Sequence, residues 1–144
     1  MSETNRYTPR PLALDVLIDV LVKEHSVMKE SLQRARHAAS RNDFQGVRAE
    51  LQTVEPVFRQ HIADEESEVL GFLIRTIGVK EAADEIKIFQ QHRPIYIMMM
   101  KVSELASKSS VELEASQAEL EELFELHTKA EEERAFPRAR LLNK

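Results

Sequence analysis

A pattern of histidine and glutamate occurs twice along this chain, and in each copy one histidine is followed after about 35 residues by His-x3-Glu. The first copy consists of His25, His61 and Glu65, and the second consists of His92, His127 and Glu131. Residues four positions apart lie on one face of a helix, about one turn from each other, so both side chains of a His-x3-Glu pair face the same neighbour. Because imidazole and carboxylate groups both bind metals, six of them directed inward predict a site for two metal ions.

The competing interpretation is a helical core that merely contains histidines. A single histidine on an apolar helix face is more often a hydrogen-bonded core residue than a ligand. Here that interpretation must hold four times, with two carboxylates also turned inward. Since buried carboxylates are rare unless they are paired or bound to a metal, we favour the metal site.

The donor types limit the choice of metal. The chain has no cysteine, which excludes thiolate zinc sites and iron–sulfur clusters. Imidazole and carboxylate together suit iron, manganese or zinc, and six ligands, two of them able to bridge, suit a pair of octahedral ions better than one tetrahedral zinc. Ferritin-like di-iron bundles use Glu-x-x-His instead. No such motif occurs in this sequence, because none of the residues three positions before the four histidines is a glutamate: they are Val22, Phe58, Phe89 and Phe124.

Composition and charge exclude several classes of protein. A chain of 144 residues is long enough for one domain with its own apolar core. Its net charge of −5 is spread along the sequence, which argues against nucleic acid as the main partner. The first residues lack the apolar segment of a signal peptide, and the longest apolar run, 95–100, is too short to span a bilayer. These features predict a soluble cytoplasmic protein with no nucleic-acid or membrane partner.

Apolar residues recur at helical spacing along most of the chain, without strand-like alternation or a Gly-rich phosphate loop. We therefore predict an all-α fold with four long helices. The first spans about 11–39, and Asn42 or Asp43 caps the second. Pro56 lies inside the second helix and should bend it or mark a late start, and Gly78 marks its end.

The second half of the chain predicts the third and fourth helices. The third is expected over about 80–106, with an interruption and local bend at Pro94. Ser109 and Glu112 have the pattern of a capping box for the fourth helix. We expect that helix to end at Pro137.

The two halves also align with each other. At an offset of 66 residues, the segment HIADEESEVLG from His61 lies over HTKAEEERAFP from His127, and at an offset of 67 residues His25 lies over His92. Such a repeat predicts an antiparallel up-down-up-down four-helix bundle with pseudo-twofold symmetry. We divide the chain into a flexible N-terminal segment (1–10), a four-helix domain (11–137) and a short basic C-terminal tail (138–144).

The residues around the six predicted ligands carry a family resemblance. The matching segments are Glu24-His25, His61-x3-Glu65-Glu66, Gln91-His92, and His127-x3-Glu131-Glu132 followed by Phe136-Pro137. Over about residues 14–137 the chain resembles the hemerythrin-like family, also called the HHE cation-binding domain. The resemblance implies a four-helix bundle around a non-haem di-iron centre, two Fe ions joined by an oxo or hydroxo bridge. It also implies that the four histidines are terminal ligands and that Glu65 and Glu131 are bridging carboxylates.

Two positions depart from the oxygen-carrying members of that family. Those proteins usually have an aspartate five residues after the fourth-helix histidine, where this chain has Glu132; the internal repeat favours Glu131 as the ligand, with Glu132 as the alternative. They also have a fifth histidine four residues after the third-helix histidine, where this chain has Tyr96. Two octahedral irons offer about twelve ligand positions. Without a fifth histidine two of these positions stay open, which suits peroxide, nitric oxide or another small ligand.

Tyr96 has two interpretations. In the one we favour, it packs beside the site and its hydroxyl bonds to a bridging glutamate or to water. In the other, it ligates iron directly.

The resemblance implies a protein that binds or reacts with O2, peroxide or nitric oxide, in sensing, storage or detoxification. If the protein is an enzyme, we expect a peroxide-degrading oxidoreductase of the catalase or peroxidase type. The alternative is iron handling, either storage and donation of iron or a role like that of the family's iron–sulfur repair branch. The cysteine-bearing N-terminal segment of that branch does not occur in this sequence.

Overall fold

A computed structural model describes residues 7–144, which are almost entirely helical and contain no strand. The α-helices are α1 (Leu14–Ser40), α2 (Phe44–Asp64), α3 (Gly71–Glu81), α4 (Ala83–Gln90), α5 (His92–Ser107), α6 (Leu113–Ala130) and α7 (Phe136–Leu142). Two π-helical turns, π1 (Glu65–Leu70) and π2 (Glu131–Ala135), join α2 to α3 and α6 to α7. The elements thus form four long rods: α1, α2–π1–α3, α4–α5 and α6–π2–α7. Within the described range, no helix has both the length and the apolar character needed to cross a bilayer.

The first connection confirms the predicted cap. Asp43 accepts a hydrogen bond from the backbone N–H of Gly46 at 3.0 Å, which satisfies one of the free donors at the start of α2. Asn42 has a φ of 57°, a left-handed conformation that asparagine tolerates and that reverses the chain. Because α2 begins at Phe44 and continues through Pro56, the late start suggested by that proline is wrong.

The second rod ends close to Gly78 and the third rod is interrupted close to Pro94, as the sequence predicts. Gly78 has a φ of 86°, which only glycine adopts without strain, and it kinks α3 three residues before the second rod ends at Glu81. The α-helix of the third rod is interrupted at Gln91, between α4 and α5. Pro94 has no N–H to donate to the preceding turn, which accounts for a break at this point.

The connection to the fourth rod differs from the predicted capping box. Ser109 has a φ of 53° and turns the chain, so it is not placed to cap α6. The hydroxyl of Ser110 instead accepts a hydrogen bond from the backbone N–H of Glu112 at 3.1 Å. The capping box of Ser109 and Glu112 was therefore a wrong prediction.

The fourth rod also continues past its predicted end. Pro137 occupies the first turn of α7, where its missing N–H costs nothing, and α7 runs on to Leu142. Ala139 is fully buried, so most of the predicted tail 138–144 is helix packed on the domain. At the other end, Arg10 of the predicted flexible segment 1–10 is bound to the domain, and residues 1–6 lie outside the described range.

The helices pack in a closed cycle of neighbours: α1 contacts α2 and α6, and α5 contacts α2 and α6. Two apolar clusters fill the interior. The first core cluster includes Met28, Leu32, Val54, Phe58, Ile95, Met99, Leu120 and Phe124. The second core cluster includes Leu17, Ile18, Leu21, Val69, Leu73, Ile88, Phe89, Ala135 and Phe136. Burying each large apolar side chain stabilises the fold by about 1.5–3 kcal/mol. On every rod, the predicted ligands lie between residues of the first and of the second core cluster.

A buried ion pair adds a contact between the third and fourth rods that the apolar pattern did not predict. Glu85 in α4 is fully buried and lies 3.2 Å from Arg138 in α7 and 3.6 Å from Arg134 in π2. Buried carboxylates need such partners. This pair holds α4 against the end of the fourth rod.

Candidate metal centre

The structure brings all six residues of the repeated pattern into one buried cluster. None of them exposes more than 4% of its surface, and both glutamates are fully buried. The cluster divides into a first donor set (His25, His61, Glu65 and Glu131) and a second donor set (Glu65, His92, His127 and Glu131). Within each set, one nitrogen or oxygen from every residue lies within 4.8 Å of the others. Both glutamates belong to both sets, so each carboxylate faces two places at once.

Short contacts connect the first donor set. Nε2 of His25 lies 3.1 Å from Nε2 of His61 and 2.9 Å from Oε1 of Glu131. Nε2 of His61 lies 2.8 Å from Oε2 of Glu65. Two imidazoles from α1 and α2 and two carboxylates from π1 and π2 therefore point at one place.

The second donor set repeats this arrangement with the other pair of histidines. Nε2 of His92 lies 2.6 Å from Oε1 of Glu65 and 3.5 Å from Oε2 of Glu131. Nε2 of His127 lies 3.0 Å from Oε2 of Glu131. In both sets the Nε2 atom of every histidine faces inward, so the same edge of each ring is offered to the cluster.

Several of these inward atoms have contacts but no hydrogen bond. Oε2 of Glu65, Nε2 of His127 and Oε2 of Glu131 are buried and lack a hydrogen-bond partner among the described residues. Buried polar atoms without partners are costly, and such an atom in a native fold needs an explanation. Three such atoms within one cluster of imidazoles and carboxylates fit donors that share a cation, so the cluster is suited to metal ions.

The other ring nitrogen of each histidine is held by a hydrogen-bond acceptor. The Nδ1–H groups of His25, His61 and His92 donate to carboxylates, and that of His127 donates to an amide oxygen. The pairs are His25–Glu132 at 2.6 Å, His61–Glu24 at 2.8 Å, His92–Glu66 at 2.9 Å and His127–Gln91 at 2.9 Å. In a neutral ring this bond leaves the lone pair on Nε2, the form that binds a metal, and it also fixes the direction of the ring.

Charge in the metal-free cluster is balanced by protons. Burial alone would lower the pKa of His25, but hydrogen bonds to Glu131 and Glu65 raise it to about 10. Burial also opposes charge on His61, yet the negative charge of Glu65 and the bond to Glu24 raise its pKa to about 9. Conversely, burial alone would raise the pKa of Glu65, and the charge of His61 with the histidine hydrogen bonds holds it well below its usual range. The carboxylates of the cluster therefore favour positive charge at its centre, and without a metal ion that charge is a proton on His25 and on His61.

The two π-helical turns begin at the glutamates of the two His-x3-Glu motifs, at Glu65 and at Glu131. A π turn closes an i→i+5 hydrogen bond and widens the helix locally, and such turns are frequent at functional sites. At the start of π1, two adjacent residues serve different purposes. Glu65 enters the cluster, while Glu66 reaches across to His92 on α5. Sequence analysis did not predict these turns.

Aromatic rings close the cluster on its apolar sides. The ring of Phe136 stacks on His25 with centroids 5.8 Å apart and planes 16° from parallel, and Phe124 meets His25 edge-on at 6.4 Å. Phe58 and Phe89 contact His92 at 6.1 and 5.8 Å. These rings exclude water, which strengthens electrostatic interactions inside the cluster.

The alternative ligand Glu132 lies outside the cluster. Its side chain is 42% exposed and bonds to Nδ1 of His25, whereas Glu131 is fully buried among the inward nitrogens. The structure therefore places Glu131 in the position that the internal repeat favours.

Tyr96 packs against the first core cluster, as the favoured interpretation predicts, but its hydroxyl is bonded neither to a bridging glutamate nor to the metal-site cluster. Its hydroxyl donates to Oε2 of Glu55 at 3.1 Å, toward the partly exposed side of α2. Burial, then the hydrogen bond and negative charge of Glu55, raise the pKa of its phenol. With its hydroxyl engaged there, Tyr96 is neither a ligand of the cluster nor a hydrogen-bond donor to Glu65 or Glu131.

Sequence analysis missed a group that lies behind His61. Arg10 contacts Glu24 at 3.0 Å and the fully buried Asp64 at 2.6 Å, and its backbone N–H donates to Asp64 at 2.7 Å. The sequence did contain a signal for these contacts: Glu24 and Asp64 are charged residues directly next to the predicted ligands His25 and Glu65.

Comparisons with known proteins leave the cluster to be interpreted from its own residues. No protein-family model, curated protein or solved structure matches this chain. The described residues show a helical protein with a buried His/Glu cluster that could hold metal ions.

Proposed function

We propose that the protein is a hemerythrin-like antiparallel four-helix bundle that holds two iron ions in the candidate metal centre and binds or reacts with O2, peroxide or nitric oxide. The observation that carries the proposal is that the two donor sets share both glutamates. Carboxylates that face two sets at once suit two adjacent cations. A single structural ion would need only one of the sets.

The bundle is supported by the cycle of helix contacts and by the repeat. The pairs α1–α2 and α5–α6 come from matching halves of the sequence, and each half contributes two histidines and one glutamate. Di-metal carboxylate sites are typically built from inward side chains on the facing helices of such bundles. Each donor set therefore takes its two histidines from one copy of the repeat and shares the glutamates of both copies.

Iron is favoured by the donor chemistry. Four imidazoles and two carboxylates, without sulfur, suit metals of intermediate hardness. When bound, a pair of irons supplies one-electron redox chemistry toward small oxygen or nitrogen species. The protein contributes fixed Nε2 donors, shared carboxylates and an interior from which Phe58, Phe89, Phe124 and Phe136 exclude water.

Two surface clefts approach the cluster and suit small ligands. The His25 cleft, of about 240 Å³, lies between α1 and the fourth rod and has Glu132 in its wall. The His92 cleft, of about 450 Å³, lies between the second rod and α5 and has Glu66 in its wall. In each cleft the carboxylate that fixes a ring nitrogen also meets solvent, so protons can be exchanged between solvent and a site histidine.

The test is metal content after iron reconstitution under anaerobic conditions. We expect two irons per chain in the wild type and a large loss of both in Glu65→Ala and in Glu131→Ala, because each glutamate serves both donor sets. The matched control is His37→Ala, since His37 is exposed on α1 and should retain full iron. One zinc per chain with no second site, or full iron in both glutamate variants, would contradict the proposal.

Reaction with small ligands distinguishes the forms of this function. Reversible optical change on exposure to O2 or nitric oxide indicates binding for storage or sensing. Sustained oxygen evolution from added peroxide indicates an enzyme. Iron lost to a chelator, with no response to any of these ligands, indicates iron handling instead.

A further inference from the structure

The two donor sets have the same arrangement, but one ring nitrogen in each set is bonded to a different kind of acceptor. Nδ1–H of His61 donates to the carboxylate of Glu24 at 2.8 Å, and at the matching place Nδ1–H of His127 donates to the amide oxygen of Gln91 at 2.9 Å. Glu24 and Gln91 each precede the first histidine of their copy of the pattern. One contact of the repeat is therefore charged in the first set and neutral in the second.

The charged groups next to these acceptors also make the surroundings of the first donor set more negative than those of the second. Arg10 joins Glu24 and Asp64 at 3.0 and 2.6 Å, and two carboxylates with one guanidinium leave a net negative charge beside the first donor set. In the other half, Ala130 stands where Asp64 does, so Gln91 and Ala130 carry no charge.

The remaining acceptors do not offset this difference. Glu132 and Glu66, which hold His25 and His92, are both carboxylates and cancel in the comparison. The clefts agree with the trend. The charged residues of the His25 cleft, apart from the histidine, are Lys29, Lys129, Glu125, Glu132 and Glu133, and those of the His92 cleft are Glu66 and Arg93. The former group is net negative and the latter is neutral.

We propose that the two metal positions are unequal and that the position formed by His25 and His61 takes up the first ion; this inference rests on the proposed two-metal function. A carboxylate that accepts from Nδ1–H makes the imidazole a stronger ligand than an amide does. A buried negative charge nearby also stabilises a cation, because the interior screens poorly. Partners of this kind typically change metal affinity by about 10–100-fold, so the two steps should be resolved.

Glu24 is therefore a positioning residue that determines the order of filling, and Arg10 and Asp64 hold it in place. At one metal equivalent the protein should accumulate as a one-metal form with the ion at His25 and His61. A centre filled in a fixed order presents one defined singly occupied form to a reactant, whereas two equal positions give a mixture of both singly occupied forms.

The test is a titration of the metal-free protein with Co²⁺, followed by visible absorption and calorimetry. In the wild type we expect two equivalents, the first bound about tenfold or more tightly than the second. Glu24→Gln, which preserves shape and removes the charge, should weaken the first step and bring the two affinities together. Gln91→Glu is the matched reverse change and should strengthen the second step.

Variants that leave one position assign the steps. His127→Ala retains the first position and should bind one Co²⁺ tightly, and His61→Ala retains the second and should bind one weakly. Adding Glu24→Gln should weaken binding in the His127→Ala protein and leave the His61→Ala protein unchanged. Helical circular dichroism identifies any variant that does not fold; the Gln91→Glu titration, in a chain that keeps all six donors, then decides the question.

Equal affinities in the wild type, or equal weakening by Glu24→Gln in both backgrounds, would overturn the inequality while leaving two metal positions intact. Binding of fewer than two Co²⁺ by the wild type, together with failure to take up two irons, would contradict the proposed function itself. The two failures are thus distinct.

Discussion

At the scale of single residues, each site histidine uses its two ring nitrogens for different purposes. Nδ1 is bonded to Glu24, Glu66, Gln91 or Glu132, and Nε2 faces the cluster. The ring is therefore already oriented before any ion arrives. Preorganised ligands lose little entropy on binding, which favours tight and selective uptake.

Tyr96 provides the prediction at this scale. Because its hydroxyl is bonded to Glu55 rather than to the cluster, Tyr96→Phe should leave two irons per chain and an unchanged visible spectrum of the ferric protein. The stability change should stay within about 1.5 kcal/mol, the value of one hydrogen bond. Glu55→Gln is the matched control and should be equally silent. A ferric absorption band that disappears in Tyr96→Phe would show that the phenolate ligates iron after all.

Residue types and spacing were enough to predict all six members of the cluster, because residues four positions apart on a helix lie on the same face and point toward the same neighbours. They were not enough to predict the Nδ1 acceptors. Glu24 and His61 lie on different helices, and their contact depends on how the helices are rotated about their axes. The orientation of α5 likewise directs the hydroxyl of Tyr96 toward Glu55, although the spacing of Tyr96 from His92 suggested that it faces the interior.

At the scale of elements, the helix boundaries followed from local chemistry where a residue has one strong preference. Asp43 as a cap and Gly78 at a positive φ are of this kind. The π turns could not be predicted, because the choice between i→i+4 and i→i+5 bonding depends on contacts with other helices. The continuation of the fourth rod into α7 was hidden because Pro137 ends a helix or begins one with equal ease.

The N-terminal segment provides the prediction at this scale. The guanidinium of Arg10 supplies the positive charge that pairs with the fully buried Asp64. The backbone N–H of residue 10 also donates to Asp64 at 2.7 Å, and Gln60 donates at a long 3.4 Å, but both of these donors are neutral. Arg10→Met should therefore leave a buried carboxylate poorly paired and lower the free energy of unfolding of the metal-free protein by about 1–3 kcal/mol. Urea denaturation measures the change. Arg48→Met, on the exposed side of α2, should change stability by less than about 0.5 kcal/mol; equal effects of the two variants would contradict the assigned role of Arg10.

At the scale of the whole molecule, a polar layer separates two apolar clusters. Leu21 and Met28 flank His25 along α1 and belong to different clusters, and Phe89 and Ile95 flank His92 in the same way. The apolar clusters stabilise the fold, while the polar layer carries the cost of burying six imidazole and carboxylate groups. Bound metal should offset this cost, since any ligand that binds only the native state stabilises it.

The pH dependence of stability tests this balance. In the metal-free protein, the pKa values of His25 and His61 are raised to about 10 and about 9, so their stabilising contribution is complete below the ordinary value of 6.5 and is lost as pH rises toward 9–10. Glu65 has a lowered pKa, so its contribution is present above 4.5 and is lost as pH falls below that value. The metal-free protein should therefore be most stable between about pH 4.5 and 6.5 and should lose several kcal/mol by pH 10, because one unit of pKa shift corresponds to about 1.4 kcal/mol.

The metal-loaded protein should behave in the opposite way over the alkaline range. An ion bound at Nε2 replaces the proton, so no stabilising proton remains to be lost between pH 6.5 and 10, and metal affinity should rise with pH because fewer protons compete. Urea denaturation at pH 6.5, 8 and 9.5, with and without metal, measures both trends. Loading at pH 7 should also release protons into a weakly buffered solution, detectable with an indicator dye. A metal-free protein as stable at pH 9.5 as at pH 6.5, or loading without proton release, would show that His25 and His61 are not held protonated by Glu65 and Glu131.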